Sequence, residues 1–152
     1  MKKNLTILVA ALLCLTTILG CTKKGNVAGS RPGMTANIGT APYIATFCLA
    51  TQSGAQLTIN GLSGTTTTPV APYVTLVIKH WAGATGKYAI DSTGNNYAAY
   101  IGGVGAYSLS SGGSIIVTSV TTEQIEGSFS FTCYDGTAAT GGVFYARVQP
   151  QQ

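Results

Sequence analysis

Between Met34 and Val148 the apolar positions recur every second residue over short runs, which is the period of a strand with one buried face. Val74, Leu76 and Ile78 share one parity, and Leu57 with Ile59 alternates against Thr58 and Asn60. Tyr88 with Ile90, Ile115 with Val117, Phe129 with Phe131, and Phe144 with Ala146 and Val148 behave in the same way. These pairs are the predicted core, and Cys133 follows Phe131 on the same face. Cys48 has no clear side, because Phe47 and Leu49 on the opposite parity make the better core pair. The Ile115-Ile116-Val117 run is apolar on both faces, which predicts that part of the sheet is covered on its second side.

The pattern predicts strands over 35–39, 43–51, 56–61, 73–81, 86–91, 97–102, 106–109, 114–121, 124–134 and 142–148. Breakers separate them: Ser53-Gly54, Pro69 with Pro72, Ala82-Gly83, Thr93-Gly94-Asn95-Asn96, Ser111-Gly112-Gly113, Asp135-Gly136 and Gly141-Gly142. Strand follows strand with no helical segment between. The expected architecture is therefore all-β, an antiparallel meander of about 8–10 strands closing into a sandwich or a barrel.

Residues 1–20 break this pattern. Lys2 and Lys3 precede an apolar run from Leu5 to Leu19 that is too short to cross a bilayer comfortably, as a removable secretory signal would be. The run ends in Ile18-Leu19-Gly20-Cys21, which resembles a lipobox with Cys21 as the lipidated residue. Acyl chains contribute about 0.8 kcal/mol per buried methylene, so a multiply acylated cysteine holds firmly to a membrane. Residues 21–33 are small and polar, with glycines, and read as a lipidated cysteine and flexible tether. The single all-β domain then spans 34–149.

Composition narrows the function classes. Charged residues make up 8% of the chain, but an apolar content of 45% is enough to build a core. After the signal, Lys23, Lys24, Arg31, Lys79, Lys87 and Arg147 face Asp91, Glu123, Glu126 and Asp135, for a net charge of +2. Half of those bases lie in the tether, where anionic headgroups attract them. The domain has no basic patch interleaved with aromatics, so a nucleic-acid partner is not expected. Cys48 and Cys133 remain once Cys14 and Cys21 are set aside, and the sequence leaves open a disulfide or two separate buried thiols.

No catalytic constellation stands out. Glu123 and Glu126 flank a hairpin turn, Asp91 and Asp135 sit beside turn residues, and their types suit turn capping. No CxxC, GxSxG or calcium-loop spacing occurs, and neither a metal nor a cofactor is implied. His80-Trp81 is the one local group that suits a binding surface, because a tryptophan ring offers a large apolar face with a polar handle. The bland alternative is that Trp81 closes the end of the core. Tyr43, Tyr73, Tyr97, Tyr100 and Tyr107 suggest an aromatic rim or face more weakly.

Residues 34–43 (MTANIGTAPY), Leu57-Thr58-Ile59-Asn60-Gly61, Gly86-Lys87-Tyr88, Gly113 to Val117, Ile125 to Phe131 and Gly142-Val143-Phe144 together resemble a family of small lipoproteins. That family is widespread in Bacteroidota and defined as a domain of unknown function. The resemblance implies a secreted all-β domain and carries over no catalytic residue. The expected function is a non-catalytic, membrane-anchored envelope lipoprotein that binds an unidentified protein or glycan or gives structural support. A calycin-like barrel holding a small apolar ligand and a hydrolase of unfamiliar type are the alternatives. The expected location is the outer membrane, facing the periplasm. Surface export in such bacteria resembles a rule based on acidic residues after the lipidated cysteine, and Thr22-Lys23-Lys24-Gly25 has none.

Overall fold

The computed structural model describes residues 33–64, 69–103 and 106–150. The signal, Cys21 and the tether up to Pro32 lie outside them. Ten strands follow one another: β1 (Gly33–Ile38), β2 (Ala41–Ala45), β3 (Phe47–Ser53), β4 (Gln56–Gly64) and β5 (Pro69–Ile78) come first. β6 (Gly86–Ile90), β7 (Asn96–Gly103), β8 (Ala106–Val120), β9 (Gln124–Cys133) and β10 (Ala138–Val148) complete them. The all-β expectation holds, and the choice between sandwich and barrel falls to the barrel. β10, β3, β4, β5, β7, β8 and β9 form a closed ring of seven strands, with β1, β2 and β6 outside it.

Two seams make this more than a meander. β10 pairs with β9 along one edge, while its other edge passes from β1, at Tyr145 opposite Gly33, to β3, at Arg147 opposite Leu49. The β10–β3 pairing is parallel, and it closes the ring. β8 does likewise: it gives one edge to β9 and shares the other between β7 and β6. The predicted strands 106–109 and 114–121 are accordingly one strand. Ser111-Gly112-Gly113 forms an irregularity inside it, not a turn. Gly113 has φ +139°, and a Cβ there would lie 2.2 Å from the Ser130 carbonyl oxygen, so the glycine admits the neighbouring strand. The predicted strand 43–51 is two strands, β2 and β3, broken at Thr46.

The predicted core pairs point inward. Val74, Leu76, Ile78, Leu57, Ile59, Ile115, Val117, Phe129, Phe131, Phe144 and Ala146 are buried in one cluster. Side chains fill the interior of a small ring of this size. Met34 on β1 and Tyr43 on β2 enter the ring too, because Gly61 on β4 has no side chain to oppose them. The Tyr43 hydroxyl donates to the Gly61 carbonyl at 2.7 Å and accepts from the Val74 amide at 3.2 Å. Gly61 and Val74 are opposite residues of β4 and β5, so one phenol joins two ring strands to the hairpin outside. Burial pushes that phenol well above its ordinary pKa.

One parity expectation is overturned. In β3 the buried residues are Cys48 and Ala50, while Phe47 is 39% exposed. The interior beside them already holds Met34, Tyr43 and Phe144, which leaves room only for small side chains from β3. The second side of the sheet is covered in part, at Val77 and Ala99, which lie outside the core cluster at 2% exposure each, whereas Ile116 is 36% exposed.

Candidate functional site

The structure dissolves the His80–Trp81 surface. Trp81 is buried at 5% exposure, its amide donates to the Ala55 carbonyl, and its ring packs 5.6 Å from Tyr88. It closes the core after β5. His80 stands exposed in the turn. A tryptophan next to a strand end maximises buried apolar area by folding inward, which leaves no face for a ligand.

The acids take turn roles. Asp91 accepts from the Thr93 amide and hydroxyl. Asp135 accepts from the Ser108 hydroxyl and from the Thr137 amide, and these bonds hold its carboxyl below the usual range. Glu126 accepts from the Gln124 amide group at 2.9 Å. Among the described residues no three His, Cys, Asp or Glu side chains gather as a metal site would require.

A Cys48–Cys133 disulfide is ruled out by register. Cys48 lies beside the β10 end, since its neighbour Leu49 opposes Arg147. The Cys133 amide donates to the Thr137 carbonyl, just before the start of β10. About nine residues of strand at roughly 3.3 Å each separate those levels, against a limit of about 7 Å between bridged Cα atoms. Both are free thiols. Burial pushes Cys48 up to about 12, and burial followed by the Asp135 charge pushes Cys133 up to about 11. Both thiols should resist maleimide at neutral pH and react fully once the chain is denatured. Rapid labelling of the native protein would contradict this packing. The shifts also set a pH dependence. A raised thiol pKa stabilises the folded state below about pH 9, and that stability should be lost as pH rises through 11 to 12.

The tyrosines divide. Tyr43 lies in the core and Tyr100 packs against it, whereas Tyr73, Tyr97 and Tyr107 stand on the parity facing away from it. Cross-strand pairing sets Phe47, Leu62, Tyr73, Ile101 and Tyr107 in one row over five adjacent strands of the outer face. Tyr107 is 61% exposed. No local pattern marks this row, because its members come from five separate segments.

Phe47 also begins a cleft. An open cavity of about 1120 Å³ lies where β10 passes from β1 to β3. Ala45, Phe47, Leu49, Val148 and Pro150 give it apolar walls, and Thr46, Thr122, Glu123, Arg147 and Gln149 bring polar groups. Gly33 lies on its wall. The Val148 amide donates to the Glu123 carbonyl at 2.8 Å, and Arg147 opposes Gln124, so Glu123 and Arg147 sit on adjoining backbones. Among the described residues, neither charged side chain has a hydrogen-bond or ion-pair partner. Sequence reasoning missed this site because it assigned Phe47 and Leu49 to the core. The usable signal was the small Cys48 and Ala50 alternating with them.

The chain is thus a small all-β domain, a closed seven-stranded barrel with three strands outside the ring and an open, mainly apolar cleft at its β10 seam. The chain belongs to the family described as domain of unknown function DUF6252, whose model matches residues 30–147. Comparison with curated proteins and with solved structures gives no match.

Proposed function

We propose that the chain is a non-catalytic envelope lipoprotein, lipidated at Cys21, whose barrel binds its ligand in the cleft at the β10 seam. The cleft carries this reading. It turns Phe47 and Leu49 outward from a core that is otherwise filled, and it places two unmatched charges beside them. A filled interior favours a ligand held at the surface over the calycin-like alternative. The non-catalytic part is supported by the acids, since Asp91, Asp135 and Glu126 are each engaged locally, and among the described residues no hydrogen bond or ion pair joins any of them to His80. The lipidated part rests on Ile18-Leu19-Gly20-Cys21 at the end of the apolar run.

Fractionation of cells tests the anchor. The native chain should sediment with membranes, and Cys21→Ser should appear either unprocessed or in the soluble fraction. A Cys21→Ser chain that is processed and still firmly membrane-bound would defeat the lipid anchor. The placement facing the periplasm predicts that protease added to intact cells spares the domain.

A further inference from the structure

We propose that the cleft receives a membrane phospholipid with a zwitterionic ethanolamine headgroup, its phosphate on Arg147, its ammonium on Glu123 and its acyl chain along Phe47 and Leu49. This rests on the reading of the domain as a membrane-tethered binder, and it names the ligand class.

The argument begins with charge. Glu123 and Arg147 occupy adjoining backbone positions, yet among the described residues neither side chain has a hydrogen-bond or ion-pair partner. A guanidinium is suited to a phosphate by its forked donors, and a carboxylate accepts from an ammonium. A ligand bearing one charge would satisfy one of these residues and set its like charge against the other. A headgroup bearing both satisfies the pair. The walls supply the second half of the argument. Phe47, Leu49, Val148 and Pro150 offer apolar surface that a purely polar zwitterion would leave uncovered. That surface continues beyond the cleft, since Phe47 opens the outer row leading through Leu62 and Tyr73 towards Tyr107. An amphiphile with a long chain fits charges at one side and apolar surface at the other. Supply is local as well, because Gly33 on the cleft wall is only twelve residues from Cys21.

The test uses the mature chain carrying Cys21→Ser, so that binding in the cleft is separated from anchoring. The probes are lysophosphatidylethanolamine and lysophosphatidylglycerol of equal chain length, both below their micelle concentrations, followed by titration calorimetry. The native cleft should bind the ethanolamine lipid more tightly. Glu123→Gln should weaken it about tenfold and leave the glycerol lipid unchanged, as loss of one charged hydrogen bond implies. Arg147→Gln should weaken both lipids, and Phe47→Asp should abolish both. All three positions are exposed, so unchanged thermal unfolding should accompany each result. No binding by the native chain, or equal binding by all variants, overturns the proposal. So does displacement by an extended peptide but by neither lipid. These outcomes leave the Cys21 anchor standing, because fractionation judges it separately.

Discussion

Phe144→Ala should destabilise the domain by about 3–5 kcal/mol, which is a large share of the roughly 5–15 kcal/mol that holds a typical domain folded. Phe144 is fully buried on β10, the strand that pairs with β1, β3 and β9. Its ring lies 6.5 Å from Phe129, which in turn stacks 6.0 Å from Phe131. Removing it takes away the burial of a whole ring and leaves a cavity that three fixed strands cannot collapse to fill. Urea denaturation of the native and variant chains gives the difference from their midpoints and a common slope. A loss below about 1 kcal/mol would mean that the ring interior is not packed around Phe144, and the filled-barrel account would fail with it.

Gly127→Ala is the second large effect, and here the cause is an added methyl group. A Cβ at Gly127 would lie 2.1 Å from the Ile116 carbonyl oxygen and 2.5 Å from the Phe144 ring. Overpacking of an interior costs about 1–3 kcal/mol and occasionally more. Both obstacles here are poorly able to yield, so the upper end is expected. Combining Gly127→Ala with Phe144→Leu should recover only part of the clash, because the Ile116 oxygen belongs to the backbone of β8. A Gly127→Ala chain that melts within a degree of the native one would show that β8 and β9 stand further apart than this register allows.

The readable part of this protein was its alternation. Val74, Leu76 and Ile78 declared their inward face without help, as did Phe129 and Phe131, because strand geometry alone sends successive side chains to opposite faces. The turn roles of Asp91 and Asp135 were equally visible, since the hydrogen bonds that hold them run to Thr93 and Thr137, two residues away. What misled was punctuation. Ser111-Gly112-Gly113 reads as a turn, yet the chain continues through it as β8, with Gly113 admitting the backbone of Ser130 from the neighbouring strand.

Sequence by itself determined the all-β class, most inward-facing pairs and the lipobox-like ending before Cys21. Each depends on residues adjacent along the chain. Only the tertiary structure decided the parallel β10–β3 closure, the separation of Cys48 from Cys133 and the burial of Trp81. It also turned Phe47 and Leu49 out to the cleft, where Arg147 comes from β10 and Glu123 from the β8–β9 turn. The reason is competition for space. Which parity of β3 faces inward depends on how much volume Met34, Tyr43 and Phe144 have already taken inside the ring. Those residues reach it from strands that no local pattern connects to β3.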